Sequence, residues 1–246
     1  MSWNGGKIES IFKFEKNKYI DELTFVSDEA KDAFYYGKWY LKVHGSCCAI
    51  DTKTGIPYQR VNLPNKEMPE NNMILNNGSQ PSVLFKDEKC THSYSWEPFK
   101  KPEEGSKKQK KLLDKVWEKS MNFIKDKEFD TSLVLVEFCG LKFQQTPGIN
   151  DDIAIVEHLK QEFNTTLNDG TDIRDPILVK KYLSEHAIEG FICCNKDTNK
   201  RFKIRSNMMN TEKCLHELFH KHWIKNKNFN GFEEYIKKYD RPIISQ

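Results

Sequence analysis

A chain of 246 residues with 12% aromatic side chains can bury a core without disulfides, which excludes global disorder. Its formal charge of +3, from 39 basic and 36 acidic residues, does not by itself demand a polyanionic partner. No apolar run reaches the roughly 18 residues of a membrane span, and Met1-Ser2-Trp3-Asn4-Gly5-Gly6-Lys7 lacks the regions of a signal peptide, so a soluble protein of the cytoplasm or nucleus, with no membrane partner, is expected. The seven Cys are odd in number, and the adjacent pairs Cys47-Cys48 and Cys193-Cys194 lie in apolar runs, which reads as reduced core thiols.

The first elements legible in the chain are two apolar strands, Trp39 to Lys42 and Cys47 to Asp51, separated by Gly45-Ser46 and followed by the turn Thr52-Lys53-Thr54-Gly55. Residues 62 to 82, rich in Asn, Pro and Gly, predict loops and short hairpins, with a tight turn at Asn76-Asn77-Gly78. From Lys100 to Lys111 six Lys stand against two Glu. A charge run of this kind is usually a solvated face, and its alternative is a phosphate-holding patch.

Helical spacing of Leu112, Leu113, Val116, Trp117, Met121, Phe123 and Ile124 predicts a helix over 107–126. A buried strand follows at Leu133 to Phe138, closed by Gly140. A second helix is predicted from Asp175 to His186, with Pro176 in its first turn and Ile177, Leu178, Tyr182 and Leu183 on one face. Strands over Glu189 to Cys194 and Arg201 to Arg205 flank a charged turn, and helices over Cys214 to Trp223 and Phe232 to Tyr239 end the chain. Strands and helices of similar weight, with hairpin-like neighbours, predict an α+β fold.

The residues that carry chemistry begin with Lys42-Val43-His44-Gly45, a lysine at the end of an apolar strand before a glycine turn. A lysine nucleophile needs its amine neutral, and Gly45 lets backbone approach a phosphate chain closely. Alone, this four-residue pattern arises by chance in any lysine-rich chain. Glu137 and Glu189 lie in or beside apolar strands, where a carboxylate costs several kcal/mol unless a cation, metal or donor serves it. Lys203 and Arg205 alternate onto one face of their strand, which suits gripping a triphosphate.

Taken in order, K-x-H-G at Lys42, Glu137 with Gly140, Glu189-Gly190-Phe191-Ile192 and Lys203-Ile204-Arg205 resemble the motifs of the covalent nucleotidyltransferases: RNA ligases, DNA ligases and mRNA capping enzymes. The His44 of K-x-H-G is similar to the second RNA ligase of T-even phages and the trypanosome editing ligases, where DNA ligases usually carry Asp. Lys42-Val43-His44-Gly45-Ser46-Cys47-Cys48 resembles the small vertebrate RNA ligase 1 family most, and that likeness spans roughly residues 38 to 205. Cys47 stands where the phage enzyme has Asn, so that residue's role does not transfer.

The resemblance implies an adenylation domain over 1–206, with antiparallel sheets forming an ATP cleft, and a helical extension over 207–246 packed on it. It implies an ATP-dependent RNA ligase, a monomer that uses Mg2+ or Mn2+ and joins RNA 5′-phosphate and 3′-hydroxyl ends, in RNA repair. Lys42 would carry AMP; His44, Gly45, Arg60, Glu137, Glu189, Lys203 and Arg205 would bind the nucleotide, with Glu137 and Glu189 also serving the metal. The alternatives are a GTP-using capping guanylyltransferase and a non-catalytic RNA-binding module. Separately, His216-Glu217-Leu218-Phe219-His220 matches the H-E-x-x-H pattern of zinc peptidases, with Cys214 nearby as a further donor, but it shares no logic with the four upstream motifs, and a solvent-facing or RNA-facing helix is expected there.

Overall fold

A computed structural model of the chain describes residues 8–20, 22–63, 75–76, 81–82, 84–86, 93–140, 143, 152–159, 162–209 and 214–226. The turn at 77–78 and the helix expected over 232–239 lie outside them. Strands β1 (Glu9–Ser10), β2 (Phe14–Glu15) and β3 (Lys18–Tyr19) precede helix α1 (Asp28–Tyr36) and strands β4 (Lys38–Lys42), β5 (Ser46–Asp51) and β6 (Pro57–Leu63). The short strands β7 (Leu75–Asn76), β8 (Pro81–Ser82) and β9 (Leu84–Lys86) lead to β10 (Ser93–Pro98), α2 (Lys107–Ile124) and β11 (Leu133–Cys139). After them come β12 (Ala154–Glu157), β13 (Glu162–Phe163), α3 (Pro176–Glu185), β14 (Gly190–Cys194), β15 (Arg201–Arg205) and α4 (Leu215–Asn226). The chain is thus mixed α+β with mainly antiparallel sheets, and no described helix is long and apolar enough to cross a membrane.

The described residues fall into two compact units, one of 8–44 and 159–226 and one of 45–158. In the first, a five-stranded sheet runs β1-β15-β14-β4-β13, parallel only at β1–β15. One of its faces is core: Trp39, Phe191, Cys193, Phe202 and Ile204 pack against Phe34 of α1 and Val179 and Leu183 of α3. Burial pushes the Cys193 thiol well above its ordinary pKa, as expected of a reduced core thiol.

Local chemistry places both helices. Ser27 caps α1 by accepting from the Ala30 N–H at 3.1 Å, with Asp28 and Glu29 complementing the positive end of the helix. Asp175 caps α3 by accepting from the Ile177 and Leu178 N–H groups, and Pro176 occupies the first turn as its lack of an N–H allows. The buried face of α3 is Val179, Tyr182 and Leu183, whereas Ile177, expected on that face, is 76% exposed. Residue 177 stands two positions ahead of Val179, about 200° around the helix and so on the side away from the i, i+3, i+4 stripe that meets the sheet.

The second unit holds a six-stranded antiparallel sheet, β12-β11-β5-β6-β10-β9. Cys48, Ile50, Val134, Val136 and Phe138 on one face pack with Val116 of α2. Ser106 and Gln109 form the capping box of α2, and the lysines of the 100–111 run are exposed. The six described cysteines form no disulfide.

Gly190 is the tightest backbone point of the first sheet. Its φ is +150°, and a β-carbon there would collide with the Ile204 carbonyl oxygen of β15. Only glycine meets both demands. Gly190→Ala is therefore expected to cost about 3 kcal/mol or more in a denaturant titration, the scale of backbone strain added to a clash; a loss within about 0.5 kcal/mol would contradict this role.

A candidate lysine site on a basic sheet face

Sheet register decides which side chains share a surface. In the first unit, Lys42 pairs with Gly190 and Gly190 with Arg205, and one step along Tyr40 pairs with Ile192 and Ile192 with Lys203. Directly opposed residues project to the same side and alternate residues repeat it. Lys42, Lys203 and Arg205 therefore lie on the face opposite the core, together with Lys38, Tyr40 and Arg201. Between Lys42 and Arg205 stands a residue with no side chain.

Glu189 enters this face just before β14. Its Oε1 lies 2.7 Å from Lys42 Nζ, and the two side chains are only 14% and 21% exposed. Burial alone would raise the Glu189 pKa, but the charge of Lys42 beside it, followed by His44, the Lys42 hydrogen bond and His216, outweighs burial and holds the carboxyl below its ordinary value. Glu189 Oε2 is buried and has no hydrogen-bond partner among the described residues. A carboxylate with one oxygen on an ammonium and the other vacant is suited to one more cation, and an oxygen donor suits a hard divalent ion.

His44 belongs to the same cluster. Its Nδ1 lies 3.1 Å from Nε2 of His216, so one ring donates and the other accepts, and the two rings sit 5.1 Å apart, centroid to centroid. His216 is buried in the first turn of α4. Half of the H-E-x-x-H pattern is thus engaged with the lysine motif, and among the described residues this helix supplies no cluster of three metal donors.

Tyr19, which had no place in the sequence motifs, pins the strand that carries the basic pair. Its hydroxyl donates to the Lys203 carbonyl at 3.4 Å and accepts from the Arg205 N–H at 3.1 Å, and burial pushes its pKa up to about 12. The Arg205 guanidinium is turned toward the Met208 sulfur, at 2.8 and 3.1 Å.

The other expected residues, Gly45, Arg60 and Glu137, belong to the second unit. Gly45 has a packing reason to be glycine: a β-carbon there would lie 2.6 Å from Cys139 Sγ and 2.8 Å from Glu137 Cβ. Glu137 pairs with Cys47, Ala49 with Tyr58, and Arg60 with Trp96. By strand alternation Trp96, Arg60, Cys47 and Glu137 form one row on the face opposite α2. Glu137 is buried and its Oε1 lies 3.1 Å from His158 Nε2. No sequence motif marked His158 or its neighbour Cys47 as a partner of Glu137.

No family model matches this chain, and no curated protein matches it.

Because the folded Glu189 pKa lies below its unfolded value, the charged carboxylate stabilises the fold above the ordinary glutamate range, and that contribution is lost as pH falls through the folded value. Unfolding free energies of the wild type and Glu189→Gln, measured from about pH 7 down to about pH 3, should differ by about 3 kcal/mol at neutral pH, the lower end of the buried-pair range, and converge in acid. A difference that stays constant into acid would contradict the pairing.

Proposed function

We propose that the chain is an ATP-dependent RNA ligase of the nucleotidyltransferase fold, in which Lys42 carries AMP. The observation that supports this most is the Lys42–Glu189 pair: a lysine of a K-x-H-G pattern, held by a buried carboxylate, on the sheet face that also carries Lys203 and Arg205. Such a lysine has one orientation before any nucleotide arrives, and positioning is much of what phosphoryl-transfer catalysis requires.

In this reading the Lys42 amine, having shed a proton, attacks the α-phosphate of ATP; the nitrogen–phosphorus bond forms as the bond to pyrophosphate breaks. An RNA 5′-phosphate oxygen then takes the AMP from Lys42, and an RNA 3′-hydroxyl displaces AMP to seal the strand. Glu189 orients the ammonium, and its vacant Oε2 fits Mg2+ or Mn2+. Bound there, the metal would neutralise charge on the phosphates. Lys203 offers a cation to the α-phosphate, and Arg205 a second one on turning from Met208. His44, steadied by His216, lines the same cluster. The resemblance gives Gly45, Arg60 and Glu137 nucleotide-binding roles as well, and of the ribose and metal roles it implies for Glu137 the ribose contact is the one kept here.

The test uses the full chain with ATP, magnesium and an RNA bearing a 5′-phosphate and a 3′-hydroxyl. The expected products are adenylylated RNA and joined RNA, both absent with Lys42→Ala. Sealing that survives Lys42→Ala would overturn the reading. Nucleotide transfer from GTP in preference to ATP would replace it with a capping enzyme, and RNA binding with no transfer from either would replace it with a non-catalytic module.

A further inference from the structure

The sheet of the second unit gathers three side chains that the ligase reading does not use together. Glu137 of β11 and Cys47 of β5 are direct cross-strand partners, so their side chains stand side by side on one face. The β11–β12 ladder pairs Val136 with Glu157 and continues by one bond, the His158 N–H donating to the Leu135 carbonyl at 3.1 Å. His158 therefore sits beside Leu135, two residues before Glu137 and on the same face. The result is a thiol, a carboxylate and an imidazole whose donor atoms all lie within 4.8 Å of one another.

We infer that Cys47, Glu137 and His158 form a binding site for a thiophilic divalent cation of the zinc class. Tetrahedral zinc with sulfur at about 2.3 Å and nitrogen or oxygen at about 2.0–2.2 Å needs donors roughly 3.3–3.7 Å apart. The 3.1 Å between Glu137 Oε1 and His158 Nε2 is already one near-complete edge of that tetrahedron. A second observation points to a missing ligand: Glu137 Oε2 is buried and has no hydrogen-bond partner among the described residues. A buried carboxylate with a vacant oxygen beside a thiol is a costly arrangement unless a cation completes it.

The donor set selects against the hard cation that phosphoryl transfer uses. Mg2+ is held by oxygen donors and keeps several waters, and a thiolate–imidazole pair offers neither. Thiolate with imidazole favours zinc, and three protein donors leave a fourth position for water or a ligand. Strand alternation also explains why Cys47 serves and the adjacent Cys48 does not: Cys48 faces the core with Ile50 and Val136. Cys48 is fully buried in that core, while Cys47 stays partly accessible.

Metal binding is read without ATP or RNA, so its outcome is independent of the ligase reading. The full chain, stripped with a chelator, is titrated with Zn2+ against a competing indicator and separately with Co2+ as a spectroscopic probe. One Zn2+ per chain is expected, with a Co2+ spectrum of tetrahedral intensity and a thiolate-to-cobalt charge-transfer band. Cys47→Ser should abolish that band, and both Cys47→Ser and His158→Gln should weaken Zn2+ binding by at least about 100-fold, the upper end of what losing a mere supporting residue costs. His216→Ala should leave both readouts unchanged, which separates this site from the H-E-x-x-H helix. Circular dichroism of each variant checks that the fold survives. A wild-type chain that takes up no Co2+ with thiolate ligation, or a zinc site indifferent to folded Cys47→Ser and His158→Gln, would overturn the inference.

Discussion

Much of the first unit follows from the need to keep one carboxylate charged in a place where charge is expensive. Glu189 lies at the mouth of an apolar strand, and what holds it ionised is Lys42, 2.7 Å away on the neighbouring strand. For the two to meet, β4 and β14 must pair with Lys42 opposite Gly190, and for β14 to reach β15 at that level residue 190 must lack a β-carbon. The same register puts Arg205 and Lys203 on the face of Lys42. One ion pair and one glycine thus settle where three cations stand, and the core on the opposite face, from Trp39 to Phe202, locks the register against slippage, since a one-residue shift would turn that core outward.

The second unit uses the same device with different chemistry. Its sheet is apolar toward α2, while its other face carries Trp96, Arg60, Cys47 and Glu137 in one row, with His158 beside the last. Here the buried carboxylate has an imidazole and a thiol for neighbours instead of an ammonium. The contrast sets the chemistry each face suits: a lysine held by a carboxylate among other cations suits an anionic ligand, and in the proposed reading becomes a nucleophile once its ammonium has lost a proton, whereas a thiol, an imidazole and a carboxylate suit a metal ion.

What the sequence made legible was local. Apolar runs gave β11 and β14 nearly to the residue, β15 reads as the strand after the charged turn, and helical spacing gave α2 and α3, the latter with Pro176 in its first turn. Lys42, Glu189, Lys203 and Arg205 could be chosen from motif order, because alternation along a strand already places Lys203 with Arg205. What was not legible depends on contacts between distant positions. His44 and His216 are 172 residues apart, and the sequence of that helix suggests a solvent-facing or RNA-facing surface rather than a buried ring aimed at the lysine motif. Tyr19 lies in a two-residue strand too short for any periodic signal, and His158 becomes a neighbour of Glu137 only through the β11–β12 ladder. Helix α1 had a sound start at Ser27-Asp28-Glu29, but no prediction covered it; its buried face of Ala30, Ala33 and Phe34 shows only once the sheet it covers is known.

The proposed ligase chemistry stands or falls on Lys42 acting as a nucleophile that Glu189 holds in place. The most direct measurement is peptide mapping by mass spectrometry after the full chain has been incubated with ATP and magnesium, with no RNA present. One AMP is expected, carried on the peptide that contains Lys42 and bonded to that lysine. A chain that acquires no AMP, or acquires it on another lysine while Lys42 stays unmodified, would contradict it.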